Sequence, residues 1–195
     1  MKPVDPFAIA GDALVRGYVY EPSFLSEAEE AALIGAIRTL PLKEAEYKQF
    51  QAKRRIQSYG GRYDFSANRL LAAEPIPAFL HPLRRRVAEW TGRSAESFAQ
   101  ALVAEYAPGT QLGWHRDVPN FELVVGVSLG CPCRMRFRRY PPKPREPSIA
   151  VELAPRSVYK LEGEARWEWQ HRITATPGLR YSVTYRTLRD SQRAA

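Results

Sequence analysis

His115-Arg116-Asp117, followed more than fifty positions later by His171 and then by Arg180 and Arg186, is a set of side chains with a chemistry of its own. Two imidazoles and one carboxylate on three corners of a metal leave the opposite face open, which is how non-haem Fe(II) oxygenases bind a co-substrate and dioxygen together. In an extended segment residues i and i+2 point to one side, so His115 and Asp117 can grip one ion while Arg116 faces away. The third ligand must come from elsewhere. Of the three histidines, His81 lies in a helical pattern beside Pro82, where a solvated surface role accounts for it, and His171 remains. A His-x-Asp alone is a weak signal, and a turn histidine beside a turn aspartate is its plain alternative.

A second segment adds weight. Arg180-Tyr181-Ser182-Val183-Thr184-Tyr185-Arg186 alternates polar and apolar residues with the period of a strand. If the face carrying Arg180, Ser182, Thr184 and Arg186 points to solvent, this is an ordinary edge strand. If it points into a barrel, two guanidiniums are buried without evident partners, because the strand supplies no carboxylate. Burying unpaired charge costs on the order of several kcal/mol, so such a pair implies an anion that arrives as a ligand. A dicarboxylate such as 2-oxoglutarate fits: one end and its keto oxygen chelate iron, and the other end takes a forked contact from arginine.

Further pieces occur in order between Ala101 and Arg189: Glu105-Tyr106-Ala107-Pro108-Gly109, Leu112-Gly113-Trp114-His115-Arg116-Asp117, Val127-Ser128-Leu129-Gly130, Met135-Arg136-Phe137-Arg138, Leu161-Glu162-Gly163 with Arg166, Trp169-Gln170-His171, and the Arg180 to Arg186 strand. Over this stretch the chain resembles the catalytic core of the AlkB family of 2-oxoglutarate and Fe(II)-dependent dioxygenases. The resemblance implies that His115, Asp117 and His171 hold Fe(II), that Arg180 anchors the distal carboxylate of 2-oxoglutarate, that Arg186 is the second signature arginine, and that Tyr106 contacts the co-substrate. It also implies the reaction: with O2, 2-oxoglutarate is decarboxylated to succinate while a carbon on a base nitrogen is hydroxylated and lost as an aldehyde. The chain departs from the family pattern at three places. Many members carry asparagine where this chain has Ala104 and Ser182, so the amide contacts to the co-substrate are not carried over at either position, and Ser182 should matter less than the asparagine it replaces. An acidic residue used by some members near the base is replaced by Pro119.

The elements needed to position these groups are legible in outline. Ser26 and Glu29 form a capping box before a helix with Leu33, Ile37 and Leu40 at helical spacing. Leu80, Leu83, Val87 and Trp90 mark a second helix ending near Gly92. Strand-like runs follow at 102–106, 123–129, 134–138, 149–153, 157–161, 166–173 and 180–186. The Pro-rich, basic loop Tyr140 to Ser148 should be exposed. Helices first and many short strands afterwards predict an α+β chain: a double-stranded β-helix (jelly roll) core over about 101–189, with N-terminal helices packed outside the sheet. With 195 residues, one domain and a monomer are expected.

No apolar run reaches the length of a membrane span, and Met1 to Pro6 lacks a secretory pattern, so a cytoplasmic protein without membrane partners is expected. Cys131 and Cys133 are the only cysteines, and two thiols one residue apart do not make a tetrahedral metal site. They read as buried strand-end residues of a reducing compartment.

The net charge of +8 favours polyanions. Arg134, Arg136, Arg138, Arg139, Lys143 and Arg145 form one basic stretch, and Lys53, Arg54 and Arg55 another. Either is a solvated basic face or a phosphate contact, with Arg136 and Arg138 sharing one side of their strand. The tract from Lys53 to Phe65 resembles the nucleotide-recognition lid of a bacterial branch associated with alkylated and exocyclic-adduct (etheno) DNA bases. Arg54 and Arg55 could meet phosphate, and Tyr59, Tyr63 and Phe65 could stack on a flipped base. The alternative is that these aromatics are core. A nucleic-acid substrate, DNA before RNA, is therefore expected. The competing expectations are modified RNA or a protein side chain as substrate, or a non-catalytic nucleic-acid-binding β-domain.

Overall fold

The computed structural model describes residues 15–47, 50–64 and 69–189. The Ser26 hydroxyl accepts from the Glu29 N–H, and the Glu29 carboxylate accepts from the Ser26 N–H. This reciprocal cap opens helix α1 (Glu27–Arg38). Helix α2 (His81–Thr91) buries Leu83 and Val87 and ends at Gly92, whose φ of 65° is left-handed. Both helices stand where the sequence places them.

The strands form two antiparallel sheets and a hairpin. The larger sheet has the order β1 (Tyr18–Glu21), β11 (Ser157–Leu161), β8 (Phe121–Gly130), β13 (Arg180–Leu188), β6 (Phe98–Tyr106), β3 (Phe50–Tyr59), β2 (Lys43–Tyr47). The smaller has the order β10 (Ile149–Leu153), β9 (Cys133–Arg139), β12 (Trp169–Ile173), β7 (Leu112–His115). Strands β4 (Gly61–Asp64) and β5 (Arg69–Ala72) pair with each other.

The larger sheet is covered on both faces. Outside, Ile37, Leu83 and Val87 of the helices pack with Val103, Val125, Val127, Val183 and Tyr185. Inside, Val124 and Leu161 meet Met135, Phe137 and Leu153 of the smaller sheet. This explains why β8 reads as an almost unbroken apolar run rather than an alternating one. It also decides the placement of β13, which pairs with β6 on one edge and β8 on the other. Tyr181, Val183 and Tyr185 join the helix-side core, and the opposite face of the strand looks between the sheets. The fold is the expected α+β jelly roll with helices outside the larger sheet.

Several details differ from expectation. The run 166–173 is not one strand: Gly163, with φ of 52°, leads into the short helix α3 (Gly163–Trp167), and β12 begins only at Trp169. The N-terminal part also gives three strands to the larger sheet, and β3 pairs with β6 from Arg55 opposite Glu105 to Tyr59 opposite Ala101. His81 is half-buried, not solvated, with Nε2 2.9 Å from the Ile76 carbonyl. Cys133 is buried at the start of β9 as expected, whereas Cys131 is half-buried, and both are free. Residues 140–147 are largely exposed. No helix among the described residues is long and apolar enough to cross a membrane.

Candidate active site

Strands β7 and β12 are neighbours, and their register sets His115 directly opposite His171. The imidazole centroids lie 4.3 Å apart. The chain leaves β7 at His115 and two residues later returns a carboxylate to the same place, with Asp117 Oδ2 3.6 Å from His171 Nε2. One ligand atom from each of the three lies within 4.8 Å of the others.

The surrounding hydrogen bonds fix which atoms are free. His115 Nδ1 is 2.9 Å from the Gly113 carbonyl; a carbonyl only accepts, so Nδ1 carries the hydrogen and Nε2 keeps its lone pair. Asp117 Oδ1 accepts from Arg186 Nε at 2.9 Å and Nη2 at 2.8 Å, which leaves Oδ2 for another partner. Burial, helped by the neighbouring His115, pushes His171 down to about 3 although Asp117 opposes it. Burial lowers His115 as well. For Asp117 burial alone would raise the pKa, but Arg186 and then His171 outweigh it and hold the carboxyl well below the usual range. The cluster thus presents two neutral imidazoles and one carboxylate, the protonation state a divalent cation needs. Buried Arg166 steadies the segment after Asp117, donating from Nη2 to the carbonyls of Val118 at 2.6 Å and Phe121 at 2.8 Å.

The same pocket continues between the sheets to Arg180, which is 1% exposed. Its Nε donates to Ser128 Oγ at 3.1 Å, its guanidinium lies 4.8 Å from the Tyr106 ring centroid, and its Nη1 has no hydrogen-bond partner among the described residues. Arg54 reaches the Tyr106 hydroxyl from β3 at 3.4 Å. Burial would raise Tyr106, yet Arg54 and Arg180 hold it below its ordinary value. Ser182 and its register partner Ala104 line the wall. The sequence argument that both strand arginines lack a carboxylate holds for Arg180 alone. Arg186 is paired with Asp117, a carboxylate brought in by the loop after β7, and its Nη1 also donates to Gln100 Oε1 at 2.8 Å.

The residues expected to meet a substrate divide. Arg54 points into the pocket, whereas Arg55, one position on in the strand, faces away and pairs with Glu105 at 2.7 Å. Tyr59 is not available for stacking. It is 7% exposed and packed in the helix-side core, because β3 is a paired strand of the larger sheet there. Tyr63 is half-buried in β4 and is not part of the pocket wall. Phe65 lies outside the described residues. Arg136 and Arg138 lie on the outer face of the smaller sheet, since Met135 and Phe137 between them fill the interior.

The family profile described as 2OG-Fe(II) oxygenase superfamily matches residues 17–186. The chain belongs to the 2OG-Fe(II) oxygenase superfamily. Within it the protein is AlkB-like. It is 30% identical to the Arabidopsis thaliana "Alkylated DNA repair protein ALKBH8 homolog", over 82% of this chain and 51% of that one. It is 25% identical to the Mus musculus "tRNA (carboxymethyluridine(34)-5-O)-methyltransferase ALKBH8", over 84% of this chain and 25% of that one. The chain therefore spans about half the length of the first relative and a quarter of the second. In fold it resembles OsALKBH1, with a TM-score of 0.70 at 15% identity over 88% of this chain and 98% of that one. It also resembles a Pseudomonas putida prolyl-4-hydroxylase, with a TM-score of 0.62 at 14% identity over 93% and 97% of the two chains.

As a member of this superfamily the oxygenase uses Fe(II), 2-oxoglutarate and O2. Its residues fit that set. The His, Asp, His cluster offers three corners and no fourth protein ligand among the described residues. The unpartnered Nη1 of buried Arg180 asks for an anion in the same pocket. Sequence reasoning missed three residues of this oxygenase site. Ser128 orients Arg180; it stands in the Val127-Ser128-Leu129-Gly130 motif, which was the available signal. Gln100 braces Arg186 and donates to the Gly61 carbonyl at 3.0 Å, with no sequence signal. Tyr159 enters the pocket from β11, and only the strand register reveals it.

Proposed function

We propose that this AlkB-like oxygenase removes alkyl or etheno adducts from nucleic-acid bases. His115 Nε2, His171 and Asp117 Oδ2 hold Fe(II), and Arg180 takes the distal carboxylate of 2-oxoglutarate beside Tyr106, with Ser182 as a minor contact. The observation that carries the reading is the fully buried Arg180, whose Nη1 lacks a partner among the described residues, in one pocket with the His115, Asp117, His171 cluster. When bound, iron and 2-oxoglutarate activate O2, one oxygen atom entering a substrate C–H bond as 2-oxoglutarate leaves as succinate and carbon dioxide.

The protein's own part is positional. Arg186 holds Asp117 by one oxygen so that the other faces the ion, and the Gly113 carbonyl fixes the tautomer of His115. Arg166 clamps the loop that carries Asp117, and the two sheets keep bulk water from the co-substrate end. A base carrying an N-alkyl group, once hydroxylated on the attached carbon, falls apart to an aldehyde and the free base.

A nucleic-acid substrate is supported by the basic charge and by relatives whose names specify alkylated DNA repair and tRNA. The tRNA name makes RNA the second reading. The test is mass spectrometry of methyl- and etheno-modified DNA and RNA oligonucleotides after incubation with enzyme, Fe(II) and 2-oxoglutarate. Loss of the adduct with matching succinate supports the proposal, and the preferred polymer separates DNA from RNA. Succinate formation with every oligonucleotide left unchanged would refute nucleic-acid dealkylation while leaving the oxygenase assignment standing.

A further inference from the structure

The charges around the pocket are unevenly matched. Arg54, Arg180 and Arg186 line it, and Asp117 is its only carboxylate among the described residues. Asp117 offsets Arg186, and Arg180 is the arginine read above as the partner of the co-substrate. Arg54 has neither kind of partner. Glu105, beside it on β6, faces the other way and pairs with Arg55. Two residues after Asp117 stands Pro119, so that segment brings no carboxylate to Arg54 either.

Arg54 also stands apart from the co-substrate end. Strand β6 lies between β13 and β3, so Tyr106 separates Arg180 from Arg54, its ring centroid 4.8 Å from one guanidinium and 5.9 Å from the other. The smaller sheet ends at β7, and Asp117, just beyond it, meets Arg186 of β13, two strands short of β3. Arg54 therefore lies on the open side of the pocket, half-buried where Arg180 is sealed. It is still close enough to the metal-binding cluster to be among the charges that lower His115. Its Nη1 reaches the Tyr106 hydroxyl only at 3.4 Å, and its Nε is buried without a hydrogen-bond partner among the described residues. A shielded guanidinium with an unused donor and no counter-charge favours an acceptor oxygen and repels a second cation.

We propose that the pocket selects modified bases that are electrically neutral and present a keto oxygen to Arg54, over bases that methylation has made cationic. This rests on the reading of the protein as a nucleic-acid dealkylase and names the substrate class within it. Methylation at N3 of uracil or thymine, or at N1 of guanine, leaves the ring neutral and sets the methyl carbon beside a keto oxygen. Methylation at N1 of adenine or N3 of cytosine fixes a positive charge on the ring. Toward the first group a guanidinium beside the reacting carbon is a hydrogen-bond donor. Toward the second it is a like charge in a site partly closed to water, with no carboxylate left to compensate it.

The test is anaerobic binding of single-stranded oligonucleotides, DNA and RNA, to the enzyme loaded with Fe(II) and 2-oxoglutarate. The oligonucleotides differ at one base only, and each affinity is taken relative to the unmodified strand, which removes the backbone contribution. The wild type should bind the neutral keto bases about 10- to 100-fold tighter than the cationic ones, the value of a hydrogen bond to a charged group. Arg54→Gln should bring that ratio close to one, and Arg54→Glu should reverse it. Adduct loss in air, followed by mass spectrometry, should rank the bases in the same order. A wild type that binds both classes alike, or prefers the cationic one, overturns the inference and leaves nucleic-acid dealkylation standing. A neutral preference that survives both Arg54 variants overturns the role of the arginine. If no modified base is bound better than its unmodified counterpart and none is changed in air, the nucleic-acid reading fails and this inference fails with it.

Discussion

Asp117 divides its two oxygens between Arg186 and the side of the pocket where His171 stands. Its removal therefore has one effect that removal of a histidine does not. His115→Ala and His171→Ala should abolish succinate formation and Fe(II) retention while the protein stays folded. Asp117→Ala should abolish both and also lose about 3–5 kcal/mol of stability, because Arg186 is left largely buried without its carboxylate. Denaturant melts of the metal-free variants separate the two cases, and a histidine variant that turns over at the wild-type rate would strike that residue from the ligand set. Arg180 is the reverse situation, a buried cation with an empty donor. Arg180→Ala should weaken 2-oxoglutarate by about 2–5 kcal/mol, and an unchanged affinity in direct titration would remove Arg180 from that task. The metal-binding candidates were legible in the sequence because histidines are so few. The pairing of Arg186 was not legible, because its partner arrives from a loop 69 residues away.

At the scale of elements, two pairings make the site: β7 with β12 sets the histidines opposite each other, and β13 between β6 and β8 turns Arg180 inward. Strands buried on one known face or on both, such as β8 and β13, were readable from their apolar runs and alternation, and α1 and α2 from their caps. Strand β3 was not. Its inner face carries Arg54 toward a polar pocket and its outer face carries Arg55 in a surface ion pair, so the run resembles a basic loop rather than a half-buried strand. Helix α3 was hidden for a related reason: Arg166 is buried for its bonds to two carbonyls, a demand that no periodicity announces. The consequence for the aromatic residues is measurable. Tyr59→Ala should cost about 3–5 kcal/mol of stability, the range for truncating a large core ring, seen as a lower denaturation midpoint with an unchanged slope. Tyr63→Ala, half-buried in the β4 and β5 hairpin, should cost much less. Equal stability of Tyr59→Ala and wild type would mean that β3 does not hold this ring in the core.

For the whole molecule the question is where a net charge of +8 acts. Arg134 is neutralised by Glu152 at 2.6 Å and Arg139 by Glu168 at 2.9 Å. Arg136, Arg138 and Arg172 have no carboxylate partner among the described residues, and Arg136 and Arg172 stand directly opposite each other in register. Like charges so placed repel, and the Nε of each lacks a hydrogen-bond partner among the described residues. Trp114 lies between two of them, with Arg138 4.5 Å and Arg172 5.1 Å from its ring centroid. This outer face of the smaller sheet has the composition of a single-strand platform, cations for phosphate around a ring that can stack. It lies behind β7, with Trp114 pointing out where His115 points in. If a nucleic-acid strand runs over this face, replacing Arg136 and Arg172 together by glutamine should weaken binding of an unmodified oligonucleotide evenly across sequences. It should also reduce the slope of log affinity against log salt by about 1 for each arginine lost. Arg134→Gln, already neutralised by its neighbour, should change the slope far less. A double variant whose affinity and salt slope match wild type would confine these arginines to covering the sheet, and any nucleic acid would then have to be held at the pocket mouth alone.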